Sequence, residues 1–459
     1  MPDESFVGLK ALVPIMKSIH LHLAIVFGIG ASMLQTSPGV AGEGDWPNWR
    51  GPSYNGTTAE KGFPATFSRT ENVKWVADLG GIGASTPVIW GDQVFITASI
   101  ESEGGTVALC LDRITGKLKW SKKFGEGLKQ DDRSTFAGPS AVTDGKMVYF
   151  FAGSGHLAAF TVQGEPVWSH DIQKEYGPFA FQWTFSTSPV LVDGQLILQV
   201  LQRDVAAGDR GFKDRKNDSY LVAFDPNTGK ELWKHIRTAD AVLESLEAFS
   251  TPLPVEIDGQ KQLVVIGGDC ISGHELNGGK EIWRWGTWNP TKISHWRLVP
   301  SPVYGQGIFL ACAPKNSPIY AIKAGGKGTL KQDSVAWQTD EKGVSSDVPT
   351  PAFYQGRFYV LNEGGKFISC LDPDTGRVIW KERLNATQKL EASPTIADDR
   401  IYLISHRGEV FVVQTGDTFK LLLETSFGET ETKDARSSIV PSHGNLLIRV
   451  NEKLFCIGK

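Results

Sequence analysis

The sequence is poor in cysteine, in long apolar runs and in charge of one sign. Five cysteines stand among 459 residues, none adjacent and none in a Cys-x-x-Cys pair; the closest two, Cys270 and Cys312, lie 42 positions apart. That spacing argues against a disulfide framework and against a paired-cysteine metal or redox centre. Cys110, Cys370 and Cys456 occupy the place that Ala159, Ala223 and Ala321 hold in other copies of a repeat described below, so they read as small buried apolar side chains. A formal net charge of −4, without a long like-charge run, leaves no basic footprint for nucleic acid. No Gly-x-Ser-x-Gly elbow, His-Glu-x-x-His pair or Gly-x-x-x-x-Gly-Lys loop occurs, so the common hydrolase, zinc-protease and phosphate-loop signatures are missing. The nine histidines are scattered singly, and His274, on a repeat strand, is expected to be a packed side chain rather than a ligand.

The one sustained apolar stretch, residues 23–34, follows Lys10, Lys17 and His20 and precedes the small residues Gly39-Val40-Ala41. Twelve residues fall short of the ~20 needed to span a bilayer. The layout is that of a secretory signal peptide over residues 1–41, for which Met16 would make a better start. The expected mature chain therefore has no membrane span. It is placed in the periplasm or outside the cell, without a lipid anchor because no cysteine stands at the cleavage site.

What the chain does have is turns: 50 glycines and 24 prolines, with 14 tryptophans. The run Tyr220-Leu-Val-Ala-Phe224 leads into Asp225-Pro226-Asn227-Thr228-Gly229, and a second short strand delivers Trp233. Asp and Asn hydrogen-bond their own following backbone and Gly supplies a positive φ, so this is a hairpin. The design returns at Asp112, Thr115-Gly116 and Trp120, and at Asp372, Thr375-Gly376 and Trp380, with weaker copies ending at Trp168, Trp283 and Trp337. A second marker, a proline usually after Ser or Thr, recurs at Pro87, Pro139, Pro189, Pro252, Pro302, Pro351, Pro394 and Pro441, with gaps of 43 to 63 residues. Pro139 and Pro441 follow Gly138 and Val440 and are looser copies. A period near 50 matches the ~40–50 residues of a propeller blade. Eight markers predict eight four-stranded blades.

The fold expected is thus all-β: one eight-bladed β-propeller over residues 72–459, preceded by an extended segment, 42–71, packed on the ring. Asn72-Val73-Lys74-Trp75 has the form of a last strand, and the C-terminal unit lacks one, so the two ends should share a blade and close the ring. The seventh unit, from Pro394, has no Trp and is expected to be the least regular. Within each unit the first-to-second and third-to-fourth connections are tight. The long connections therefore emerge together on the opposite face, where loop-borne function would sit. Two of them carry the binding candidates. One is Phe179, Phe181 and Trp183; the other is Arg284, Trp285, Trp288, His295, Trp296 and Arg297. Flat aromatic rings beside cationic donors suit sugars, quinones or peptide aromatics.

The Ala/Cys-x-Asp-x-x-Thr-Gly-x-x-x-Trp pattern at Cys110–Trp120, Ala223–Trp233 and Cys370–Trp380 resembles the tryptophan-docking motif of the quinoprotein-type eight-bladed propellers. That family includes pyrroloquinoline quinone (PQQ) alcohol dehydrogenases and the bacterial outer-membrane protein assembly factor. The resemblance implies that Trp75, Trp120, Trp168, Trp233, Trp283, Trp337 and Trp380 wedge between neighbouring blades. It also implies two readings of function. The first is a non-catalytic scaffold, expected to be monomeric, that binds protein, peptide or glycan of the cell envelope through the long-loop face, without cofactor or metal. The second is a PQQ-dependent oxidoreductase. Its relatives hold the quinone against a vicinal disulfide and bind calcium through Glu, Asn and Asp, none of which is placed on a motif here.

Overall fold

The computed structural model describes residues 41–286, 288–429 and 435–459. The expected leader lies, apart from Ala41, outside the described residues. Eight sheets form the ring. In order, blades 1 to 7 run over residues 88–126, 142–171, 190–236, 253–285, 303–338, 352–383 and 395–426. Blade 8 takes its inner three strands from 440–457 and its outer strand from Val73–Asp78. That strand pairs antiparallel with Lys453–Ile457, so the two ends of the chain close the ring. No described helix is long and apolar enough to cross a membrane.

Blade 3 shows how the sequence makes a blade. Val190–Val192, Gln195–Val200 and Tyr220–Phe224 are apolar runs sandwiched between neighbouring sheets, and the last two are buried throughout. The outer strand, Glu231–Ile236, alternates between exposed and half-buried positions because one face meets water. The turn before it is held by Asp225, whose carboxylate accepts the N–H groups of Asn227 and Thr228 at 2.9 and 3.0 Å. Asp112 and Asp372 accept from Thr115 and Thr375 in the same way.

Five indoles join one blade to the next by a single geometry. Trp75, Trp120, Trp168, Trp337 and Trp380 donate Nε1–H to the carbonyls of Arg113, Val162, Pro226, Pro373 and Gly416, each in the following blade's last turn, at 2.7–3.0 Å. Where the ring lies on a glycine there is no room for a side chain. A Cβ on Gly116, Gly229 or Gly376 would come within 2.8 Å of the indole. Trp233 stacks on Gly279 but donates to Gln195 of its own blade. Trp283 departs further: it donates to Gln262 of its own blade and meets Phe309 of the next.

The Ser/Thr-Pro marker proves to be a belt around the axis. Thr86 N–H donates to the hydroxyl of Ser140, and the chain continues through Ser188, Thr251, Ser301 and Thr350 to Ser393, all at 2.8–3.1 Å. Ser438 closes toward it by donating its hydroxyl to the Ser393 carbonyl. This corrects the register of the looser copies. The belt hydroxyls of blades 2 and 8 are Ser140 and Ser438, so Pro139 precedes its hydroxyl and Pro441 comes three residues after its own.

Two further expectations change. Blade 7 is a complete four-stranded sheet, with Leu421–Ser426 as its outer strand. Its Trp-less junction with blade 8 is filled by Phe67, Phe427 and Phe455. Blade 4 is the irregular one, with a fifth strand. The third-to-fourth connection of blade 5, expected to be tight, extends far enough for Gly328–Thr329 to pair parallel with Trp283 and Arg284.

The segment 45–60 crosses the tight-turn side of the axis as a strap. Trp46, fully buried, exchanges backbone hydrogen bonds with Ile89 of blade 1, and Tyr54 donates to Leu191 O of blade 3. Arg50 donates to the carbonyls of Pro351 and Pro394, in blades 6 and 7, at 2.9 and 3.0 Å. Burial lowers its guanidinium pKa to about 9.

The docking geometry is tested with two glycines of similar backbone and different surroundings. Gly229 (φ +73°) faces Trp168 at 2.8 Å, whereas Gly194 (φ +70°) has nothing within 4 Å. Gly229→Ala should destabilise by about 2–4 kcal/mol in urea unfolding and Gly194→Ala by about 1–2 kcal/mol, the strain alone. Equal losses would refute the indole contact.

Candidate functional site

The long interblade loops converge on the axis and leave a depression of about 470 Å³. Its floor is built from belt hydroxyls, including Ser140, Ser188, Thr251 and Ser393, with Trp49 of the strap below. Its walls carry charge of both signs. Arg133 lies over the Trp183 ring at 4.7 Å, and Trp183 Nε1–H donates to Glu244 at 3.2 Å. Arg297 lies 3.9 Å from both Glu244 and Asp347, and Lys315 lies 3.8 Å from Asp347. The series passes from one blade junction to the next, so each loop positions its neighbour's charge. Arg297 Nη1 is buried without a hydrogen-bond acceptor among the described residues.

Across the depression, Glu391 meets His406 at 2.9 Å and has Arg436 and Lys389 at 3.9 and 4.0 Å. Burial pushes its carboxyl up, but the hydrogen bond with His406 and the charges of Arg436 and Lys389 outweigh burial and hold it below the usual range. Among the described residues Glu363 has no such partner. Burial raises its pKa, and the nearby charges of Asp347 and Glu391 add to that. The wall behind Trp183 is braced by Glu247, which is fully buried. It accepts Gln182 N–H at 3.0 Å and Arg203 Nε–H at 2.5 Å. Asp131 accepts the Thr184 N–H and hydroxyl at 2.6 and 2.8 Å, tying two successive loops together.

Of the nine aromatic and cationic candidates, Trp183 and Arg297 line this depression. Phe179 and Phe181 are interior rings, packed with Phe185 and Phe249. Trp285 and Trp288 are also buried, meeting each other and Tyr320. Trp296 is half-buried against the same core, and its N–H donates to Ser245. Arg284 sits on the outer strand of blade 4, bound to Glu281 and to Thr238 O. His295 is exposed. Aromatic density in these loops thus marks mainly the packing under the rim.

Arg133, Glu244, Asp347, Glu391 and Arg436 were not singled out in the sequence. A signal was present: each lies two to seven residues before a belt hydroxyl, as Trp183 and Arg297 also do.

The vicinal disulfide that the dehydrogenase resemblance implies cannot form here, because no two cysteines are adjacent. All five cysteines are free and buried. Among the described residues no three His, Cys, Asp or Glu side chains cluster to hold a metal ion.

The family model described as outer membrane protein assembly factor BamB matches residues 65–211 and 315–421. The chain belongs to this family. No curated protein matches it. Solved propellers share the architecture at low identity. A europium-containing methanol dehydrogenase aligns with a TM-score of 0.64 at 11% identity, over 89% of this chain and 91% of its own. BamB from Moraxella catarrhalis aligns with a TM-score of 0.55 at 12% identity, over 83% and 99%. Quinohemoprotein alcohol dehydrogenase from Comamonas testosteroni gives 0.59 at 13%, over 91% and 82%. At such identities the likeness establishes the fold. The distinction between an assembly factor and a dehydrogenase lies in the loops.

His274 is a core side chain: its ring nitrogens meet Ser272 Oγ at 2.9 Å and Gly279 O at 2.8 Å. Burial lowers its pKa to about 3, below the ordinary 6.5. The folded protein therefore binds fewer protons than the unfolded chain between those values. Its contribution is complete above pH 6.5 and is lost as pH falls through the window toward 3. The acid loss from this group should be on the order of 4 kcal/mol. In urea unfolding across that range, His274→Gln should remove this component, and an unchanged pH slope would refute it.

Proposed function

We propose that this protein is an exported, non-catalytic scaffold of the cell envelope that captures a protein or peptide partner in the axial depression of its long-loop face. The observation that carries the reading is the Arg133–Trp183–Glu244–Arg297–Asp347–Lys315 series. Cations and carboxylates that neutralise one another around a fixed indole form a preorganised polar rim. Such a rim suits recognition of a complementary charged surface. Membership in a family described as an assembly factor supports a protein partner. The strap and the hydroxyl belt support the same reading, because they close the axis below and leave one open side.

The test uses a photo-crosslinking residue at Ser134, on the rim. The expected outcome is capture of a discrete envelope protein, reduced at least tenfold by Trp183→Ala with Arg297→Ala while the circular dichroism spectrum is retained. Titration with PQQ and calcium is the control for the enzymatic reading. Saturable fluorescence quenching with a raised melting temperature would overturn the non-catalytic assignment.

A further inference from the structure

A second cavity, of about 560 Å³, opens on the same face, away from the axis, between the blade 2–3 connection and the long polar loop of blade 3. Three aromatic rings and three cations shape it. Lys234 Nζ lies 4.9 Å from the centre of the Tyr176 ring and 5.0 Å from that of Tyr220, and the Arg215 guanidinium lies 3.7 Å from that of Phe212. Lys216 completes the set. None of the three cations forms an ion pair among the described residues, whereas the other charges at the edge are engaged: Lys174 with Asp171, and Glu175 with His170. Asp218 is the remaining acid. The aromatic faces hold Lys234 and Arg215 in place without neutralising them.

Tyr220, 2% exposed, is one of its lining residues, and its hydroxyl is buried with no hydrogen-bond partner among the described residues. Rings Tyr176 and Tyr220 are 5.6 Å apart, and Tyr176 is anchored by donation to Glu231 at 2.6 Å, so the frame around that hydroxyl is stiff.

We propose that this cavity binds an acidic peptide segment. Glu or Asp carboxylates would meet Lys234, Arg215 and Lys216, and an apolar or aromatic residue would lie among the three rings. The alternation of rings with unpaired cations favours a chain that alternates apolar and acidic side chains over a compact anion, which would leave the rings uncovered. The site stands on its own residues, none of which lines the axial depression.

Isothermal titration of the purified protein with a capped six-residue peptide of alternating Glu and Phe tests the assignment, with a Lys/Phe peptide, inorganic phosphate and anionic lipid vesicles as separate arms. Saturable binding of the Glu/Phe peptide alone is expected, weakening as salt rises. Lys234→Gln with Arg215→Gln should weaken it at least tenfold, while Lys420→Gln, a surface lysine of another blade, leaves it unchanged. Absent binding, equal binding by the double variant, or binding of phosphate or vesicles in place of the peptide would each overturn the proposal. Because the axial partner is read by crosslinking, either assignment can fail without the other.

Discussion

The contact on which the ring depends is an indole of one blade lying on the last turn of the next. A four-stranded sheet has two apolar faces and cannot bury either alone. It becomes stable only when neighbours cover both, and the covering must be repeated around a closed circle. Trp168 on Gly229 shows why the two residue types go together. The turn needs a positive φ, which glycine adopts freely, and the missing Cβ is the space that the indole fills. The carbonyl of Pro226 then takes the indole N–H, so the polar atom of a half-buried ring is satisfied across the junction. Where the indole is missing, after blade 7, a cluster of phenylalanines fills the gap without that directional bond.

Near the axis the blades crowd together and bulky side chains give way to hydroxyls. There the junctions are made by backbone N–H groups donating to Ser and Thr of the following blade, an arrangement that leaves few orphaned groups in a region where strands begin. The strap adds a third constraint. Arg50 reaches the carbonyls of Pro351 and Pro394 together, so residues early in the chain bind blades that follow some three hundred positions later. Indole docking outside, a hydroxyl belt inside and a strap beneath make a frame whose long-loop face can vary freely.

That freedom explains why one architecture serves proteins as different as the methanol dehydrogenase and the assembly factor that share this ring. The frame determines where loop residues arrive, and the loops determine what they are. In this chain they bring mostly paired charges to the axis, and to the rim they bring tyrosines with cations that form no ion pair among the described residues. Both arrangements suit recognition, and they differ in how far the charge is already neutralised.

The eight blades, the closing role of residues near Val73 and the docking tryptophans were legible in the sequence because each depends on local chemistry. A turn needs Asp and Gly, an inner strand needs an apolar run, and these recur at a readable period. The site was legible only in part. Trp183 and Arg297 were found by composition, while Phe179, Phe181, Trp285 and Trp288 look the same in sequence and are buried. What separates them is the direction in which a loop presents each side chain after it crosses a blade junction, and that is decided by neighbours dozens of residues away, such as Glu247 holding Gln182 and Arg203. The sequence by itself determined the repeat, its number and its closure, since these are sums of short-range preferences. Only the tertiary structure decided which charges face the axis and which cations stay unpaired, because ring closure, not sequence proximity, sets those distances.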